Sequence, residues 1–576
     1  MIPVTYRNGV AQYTLEHYEQ DFADRHLVHG AIDKWARETP DAIALIDAPT
    51  GRELSYREML EQTTALALAL LELGFQPGDF LATSLPLTIE HILLEYACFQ
   101  LGVIHAPLDL RLKGPEVIRS LELIQARGYV YLGKTPVADF SELGQAVRQH
   151  CPYVEHFIQC SPGEHAVEGA LTLGALLECA GAHRAEIDDE NSAFWRQYQS
   201  IAARVEPTDG AQVIYTTGST GLPKPALLSH RNITCQNMCL AGGFDMLDSP
   251  RMLVNLPPSH VGCQAEQLMT TLFSGGTAVV LPMFDAEGSL RAIEKYQVTC
   301  FGQIPALFAL EWRLPNYKEF DLSSLRFALY GGQQVSRQFL EQLATMAPKF
   351  GTGLGLTEMA GFVTYSPLDG TVDDLLVGVG YDMPVTPLSI RQPMNDDGTA
   401  GAELPDGEPG EICFTGPQVF IAYVNNDEAY RKTVSTDGVC YTGDLGYKTP
   451  QGLMFSGRSK LVLKPKGYQV HPAQIENHFA LLTEHVSCCG PVGQPHDDFS
   501  QGVILYVESK PGGNVTRELL EQHARGIAGY MRPQHYVILE PAGLPLNRSA
   551  KTDYVKLKEL AAAEVAKLRD LKQWDL

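Results

Sequence analysis

Residues 215–224 read YTTGSTGLPK and close a strand-like stretch over 211–215. Three hydroxyls (Thr217, Ser219, Thr220) and two glycines (Gly218, Gly221) precede a lysine, Lys224. Glycines let a backbone turn tightly and aim its N–H groups inward, and hydroxyls add donors, so such a loop can cradle phosphate oxygens. The spacing is not that of a P-loop, because Lys224 lies three residues after Gly221 and Pro225 follows it. Downstream, GLGLTE (353–358) sets Thr357 beside Glu358 on a glycine-flexed backbone. A carboxylate near a triphosphate suits Mg²⁺, which takes one or two protein oxygens together with the substrate's phosphates. Tyr330-Gly331-Gly332-Gln333 follows a predicted strand, and its two glycines let a flat ligand such as adenine approach the backbone. Tyr441-Thr442-Gly443-Asp444 offers a carboxylate able to accept from two ribose hydroxyls, with Arg458 fourteen residues later. GRSKLVLKPKGYQVHPAQIE (457–476) is rich in lysine, LPLNRSAK (544–551) ends on Lys551, and His260 lies in NLPPSHVGC. Each segment alone also reads as a polar turn, a hairpin, a solvated lysine or a structural histidine.

In this order, the segments resemble the motifs of the adenylate-forming superfamily: acyl- and aryl-CoA synthetases, adenylation domains of peptide synthetases and beetle luciferases. The likeness runs from about residue 30 to 555 and is nearest the acyl/aryl-CoA ligase branch. It implies ATP-dependent activation of a carboxylic acid to an acyl-adenylate, then thioester formation with coenzyme A, using Mg²⁺. The resemblance assigns ATP binding to Thr216, Thr217, Gly218, Ser219, Thr220, Gly221 and Lys224, and to Gly331, Gly332 and Gln333. It adds Leu354, Gly355 and Thr357, then Asp444, Phe455 and Arg458. Glu358 and Thr220 are the implied metal ligands, and Lys551, His260 and Lys464 the implied catalytic residues. Lys460 falls at the family's hinge, and Lys466 and Gly467 at the passage for the thiol.

The implied acid pocket comprises His260, Val261, Gln264, Ala328, Gly332, Leu354, Gly355, Met359, Ala360 and Gly361. These walls are small or apolar, which points to an aromatic or medium-chain aliphatic acid. Gln264, Glu266 and Gln333 could each hydrogen-bond a substituent. No aspartate of the F-D-x-S type is present to pair with an α-ammonium, which argues against amino-acid substrates. Four positions depart from the family pattern: Pro225 and Ala550 replace glycines, Leu354 replaces the tyrosine beside adenine, and Asn547 replaces the usual threonine.

The elements that must hold these loops alternate in type. Residues 42–46, 80–85, 103–108 and 129–132 read as strands; 54–74, 89–102 and 115–126 read as helices, two of them stopped by Gly74 and Gly102. After the phosphate loop, 252–256, 277–281, 299–304 and 325–330 are again strand-like. Alternation of this kind predicts an α/β protein with mainly parallel sheets covered on both faces, here two doubly wound subdomains. Residues 161–206 carry acidic residues with little pattern and read as an insertion or connection. From about 371 to 456, short strands between Gly, Pro and Asp predict a small β-barrel-like subdomain. A smaller, mobile α+β domain follows. The expected division is an ATP- and acid-binding domain over 1–459 and the mobile domain over 460–576.

A net charge of −24 argues against nucleic-acid binding. Twelve cysteines without C-x-x-C pairs read as reduced thiols, and with no signal-like start or 20-residue apolar run they predict a cytoplasmic protein without a membrane span. Two alternatives stay open in sequence: delivery of the acyl group to a carrier-protein phosphopantetheine, and a nucleotide-binding protein that has lost catalysis. Oligomeric state is not encoded in any of these features.

Overall fold

A computed structural model describes residues 2–136, 138–161, 167–217, 223–458, 461–465, 468, 470–497, 500–547 and 551–574. The Gly218, Ser219, Thr220 and Gly221 turn, Lys460, Lys466, Gly467 and Ala550 lie outside the described residues.

Two large sheets form the first part of the chain. The first has eight strands in the order Ala422–Tyr423, Pro223–Ser229, Gly210–Thr217, Ile104–Pro107, Phe80–Ser84, Gly128–Tyr131, His156–Gln159 and Leu171–Thr172. Its strands are parallel from Gly210–Thr217 onward, and the two at the other end are antiparallel. The second has seven, from Phe350–Thr352 through Phe327–Tyr330, Cys300–Gln303, Arg251–Val254, Thr277–Val280 and Ile43–Asp47 to the antiparallel Glu53–Ser55.

Local chemistry fixes the helices between them. The Tyr56–Glu72 helix starts at a capping box in which Ser55 and Glu58 satisfy each other's backbone N–H groups. The Ile89–Leu101 helix is buried at every position but Glu90, polar His91, Glu95 and Gln100 included, and it ends where Gly102 adopts φ +67°.

Residues 161–206 are more than a connection. Leu171–Thr172 edges the first sheet, and the helices Leu173–His183 and Ala193–Ala202 pack on Tyr56–Glu72. Their buried positions are few and mixed (Leu176, Ala180, His183, Trp195, Tyr198), and the acidic run Glu186–Glu190 lies between the two helices, so no clear periodicity shows in the sequence. Residues 388–458 supply a four-stranded antiparallel sheet in the order Leu388–Arg391, Gly410–Phe414, Cys440–Thr449, Gly452–Arg458.

The last part of the chain builds its own three-stranded sheet from Val486–His496, Ser500–Ser509 and His535–Leu539. Side chains alternate along its middle strand: Val503, Leu505 and Val507 enter one core with Ile475 and Phe479, while Ile504 and Tyr506 enter another with Leu557 and Val565. Among the described residues no helix is long and apolar enough to cross a membrane.

Candidate active site

The tips of the second sheet, the Asp444 hairpin and the C-terminal segment enclose a cavity of about 650 Å³. Gly332, Gln333, Leu354, Gly355, Asp444, Phe455, Arg458 and Lys551 line it. The volume lies within the range of small-molecule sites. Strand Phe327–Tyr330 ends in Gly331 and Gly332, and Gly332 holds φ +91°. The positive φ calls for glycine there, and a Cβ at 332 would stand 3.1 Å from Lys551 Cε and 3.5 Å from Nζ, which puts the lysine side chain against this turn. Lys551 is anchored through its backbone: its N–H donates to Asn547 Oδ1 (3.1 Å) and its carbonyl accepts from Asn547 N–H (2.7 Å). Burial and the Arg458 charge push the Lys551 ammonium down to about 8, against the opposing pull of Asp444 and Glu266.

Asp444 and Arg458 face each other across the Cys440–Thr449/Gly452–Arg458 hairpin, with Arg458 Nε 3.0 Å from Asp444 Oδ1. Burial raises the Asp444 carboxyl, and Arg458 and Lys551 oppose the rise. Asp444 Oδ1 is buried and, although ion-paired with Arg458, accepts no well-aligned hydrogen bond among the described residues. The turn is set by Gly443 at φ +76° and by Asp444 N–H donating to Thr442 Oγ1 (3.1 Å).

His260 opens an unusual helix. Its Nδ1 accepts from Gly262 N–H (3.0 Å), which leaves Nε2 to carry the proton, and burial together with Lys551 pushes its pKa down to about 4. His260 is therefore a neutral donor at neutral pH. Residues Gly262–Met269 then form a π-helix, with Thr270 N–H reaching the Ala265 carbonyl five residues back. The same carbonyl accepts from Asn237 Nδ2 and Thr270 Oγ1, each at 2.8 Å, and these extra donors stabilise the wide turn.

In this register Gln264 is fully buried towards Glu95, whereas Glu266 keeps accessible surface between buried neighbours. A Cβ on Gly361 would stand 2.7 Å from Glu266 Oε1 and 2.9 Å from Gln236 Nε2. Burial pushes the Glu266 carboxyl up to about 7, opposed by the Phe362 N–H and by Lys551.

On the phosphate side, Thr216 pairs with Lys224 across the antiparallel strands, and the Lys224 ammonium lies 4.8 Å from the Tyr423 ring centre. Tyr423 O–H donates to Glu358 Oε1 (2.5 Å). One tyrosine thus ties the strand leaving the phosphate loop to the predicted metal ligand. Pro225 costs little here. Its carbonyl accepts from Val424 N–H (2.9 Å), so its missing N–H falls on the side of the two-residue strand Ala422–Tyr423. Pairing with Gly210–Thr217 is untouched. Leu354 has aliphatic company: Leu375, Leu376, Val377 and Val379 line the same cavity.

Several expected pocket residues back the wall and do not line it. Ala328 is fully buried among Phe301, Tyr330 and Leu340. Val261, Met359 and Ala360 are buried in the main core. Thr357 is half-buried in the Thr357–Met359 turn. Lys464 is exposed on the C-terminal part, its N–H bonded to Gln501 Oε1 (2.5 Å), and it does not join the cleft. Sequence reasoning missed Tyr423 and left Glu266 open. The apolar-polar run around Glu266 carries no sign of a five-residue hydrogen-bond repeat, and Tyr423 sits 65 residues from Glu358.

A family model described as "AMP-binding enzyme" matches residues 32–424. Feruloyl-CoA synthase from Amycolatopsis sp is 28% identical over 503 residues, covering 87% of this chain and 92% of that protein. Probable 4-coumarate--CoA ligase 1 from Dictyostelium discoideum is 28% identical over 548 residues, covering 92% and 94%. Among solved structures, ATP-bound MatB from Rhodopseudomonas palustris matches with a TM-score of 0.77 at 22% identity, covering 93% of this chain and 99% of that one. The anthranilate CoA ligase AuaEII in complex with anthranoyl-AMP matches at 0.78 and 21% identity, covering 93% and 98%. These structural likenesses carry the fold.

Proposed function

This chain belongs to the AMP-binding enzyme family, as an acid–thiol ligase of the acyl-CoA synthetase type, and from that premise we propose that it activates an aromatic or medium-chain aliphatic acid. The observation that carries the reading is the convergence of Lys551 and the Asp444–Arg458 pair on the cavity that Gly332 lines, with His260 near enough to Lys551 to feel its charge. In the first half-reaction a carboxylate oxygen of the acid attacks the α-phosphorus of ATP and the bond to pyrophosphate breaks. Lys551 places a cation where negative charge gathers between carboxylate and phosphate, already oriented before the reaction begins. His260 donates from Nε2 towards the same oxygens without adding charge. Asp444 receives the ribose hydroxyls, and Thr216 and Lys224 flank the phosphates. Mg²⁺, when bound, neutralises phosphate charge; one carboxylate, Glu358, fits its habit of taking few protein oxygens, and Tyr423 fixes that carboxylate.

In the second half-reaction the thiolate of coenzyme A attacks the acyl carbon and AMP departs with the electron pair. Asn477, Ala480, Leu481 and Thr483 line the cavity together with Lys551, an arrangement suited to the first half. The second half calls for the chain beyond residue 459 to turn about Lys460, withdrawing Lys551 and bringing up Lys464, Lys466 and Gly467. A carrier-protein acceptor draws no support from the relatives named above. Retention of Glu358, Asp444, Arg458 and Lys551 supports a working enzyme over a decayed one.

Glu266 refines the acid. The Glu266 carboxyl lies beside Gly361, and with that carboxyl facing the bound acid, one bearing a hydroxyl or amine is preferred over its unsubstituted analogue. The test is pyrophosphate release with matched acids, with and without the donor group, in the presence and absence of coenzyme A. Release that rises with coenzyme A and yields a thioester is expected. Pyrophosphate release without any thioester would sink the ligase reading; equal rates for matched acids would sink the substrate refinement alone.

A further inference from the structure

Cys179 and His183 stand four residues apart in the Leu173–His183 helix, which places both on one face. That face packs on the Tyr56–Glu72 helix, whose last residue is Glu72. Cys179 Sγ lies 3.1 Å and His183 Nε2 2.8 Å from the same oxygen, Glu72 Oε2. One ligand atom from each residue falls within 4.8 Å of the other two. His183 Nδ1 contacts Glu186 Oε1 at 3.0 Å, and the other Glu186 oxygen accepts from Ser192 Oγ at 2.6 Å. We propose that Glu72, Cys179 and His183 bind a zinc-class divalent cation, remote from the nucleotide cleft.

Three arguments support a cation over a plain hydrogen-bond cluster. The first is geometry. Tetrahedral zinc, with bonds of about 2.0–2.3 Å to N, O and S, needs ligand atoms roughly 3.5 Å apart. Small side-chain adjustments reach that spacing from the present one. The second is hydrogen-bond economy. As it stands, a thiol and an imidazole N–H converge on one carboxylate oxygen, and the imidazole meets carboxylates at both nitrogens, which demands its doubly protonated form. With a cation, Nε2 and Sγ become ligands, and Nδ1–H keeps its bond to Glu186. A second carboxylate on the far nitrogen is how metal-bound histidines are normally oriented. The third is charge: a thiolate and a carboxylate balance a divalent ion.

Binding releases the Cys179 thiol proton and the His183 Nε2 proton to the buffer and forms S–metal, N–metal and O–metal bonds with no change of oxidation state. Without a cation the thiol stays protonated, since burial and then Glu72 push it up to about 11. Half of the Glu72 side-chain surface is exposed (50%), which leaves room for a water as fourth ligand. The cation would clip the Leu173–His183 helix to the Tyr56–Glu72 helix.

The experiment is titration of chelator-treated full-length protein with Co²⁺, followed by displacement with Zn²⁺. Expected is one equivalent of Co²⁺ with tetrahedral d–d absorption and a thiolate-to-cobalt charge-transfer band, both erased by Zn²⁺. Cys179→Ser should abolish the charge-transfer band, and His183→Gln should weaken Co²⁺ binding at least tenfold. Cys488→Ser, at an exposed cysteine elsewhere, should leave the spectrum unchanged. Zn²⁺ should also raise the melting temperature of the wild type and not of Glu72→Gln, a variant that retains size and fold. Absence of a thiolate band, or a band that persists in Cys179→Ser and His183→Gln, would overturn the proposal.

Discussion

Lys551 gives the cleft a measurable pH signature. Its ammonium titrates near 8 in the free protein, where an unperturbed lysine has 10.5. At about 1.4 kcal/mol per unit, burial beside Arg458 costs the charged form roughly 3 kcal/mol. The charged form does the work, so activity is full below the folded pKa and declines as pH rises through it. The kcat/KM for ATP reports the free enzyme and should break near pH 8, approaching a tenfold fall per unit above it. The kcat at saturating ATP should hold to higher pH, because bound triphosphate restores the ammonium. Glu266 (about 7) and His260 (about 4) titrate below this limb and do not produce it. The assay is pyrophosphate release without coenzyme A, so that no thiol titration intrudes. Lys551→Arg, always charged, should erase the alkaline break at a lower absolute rate. Lys551→Met should lose on the order of a hundred- to a thousandfold, with no break. A break that survives unchanged in either variant would refute the argument, as would a wild-type profile flat to about pH 10.

Three further outcomes follow from the geometry. Asp444→Ala removes the ribose acceptor and should raise the KM for ATP on the order of ten- to a hundredfold; an unchanged KM in pyrophosphate exchange would dismiss that role. Tyr423→Phe frees Glu358 and should raise the Mg²⁺ needed for half-maximal adenylation about tenfold, read from a metal titration at fixed ATP. Gly353→Ala would set a Cβ 1.9 Å from the Thr364 carbonyl oxygen, which backbone cannot yield. It should cost about 1–3 kcal/mol and lower the melting temperature by a few degrees; an unaltered melt would contradict the packing.

Much of this arrangement is legible in the sequence because it rests on local rules. Strand–helix alternation foretells the parallel sheets, and Gly102 and Gly332 mark positive-φ turns where the chain needs them. Lys551, Asp444 and Arg458 are found by motif and do share one cavity. What escapes is whatever depends on facing. Ala328 and Tyr330 point into one core while Phe327 and Leu329 point into another, so a pocket drawn from neighbours in sequence takes in residues from the wrong face. The two helices within 171–202 bury only a few, chemically mixed residues, and Tyr423 reaches Glu358 through strand pairing across the chain.

The π-helix after His260 makes the placement of Glu266 a matter of register. A helix holding a five-residue repeat contains a residue that an α-helix of the same span would not need. Deleting one residue between His260 and Met269 would let ordinary four-residue bonding return and rotate position 266 away from Gly361. The carboxyl would leave the pocket without any change in the composition of its wall. An insertion or deletion at this single place would therefore move a carboxyl without replacing any residue type, a change that a comparison of aligned residue types alone would overlook.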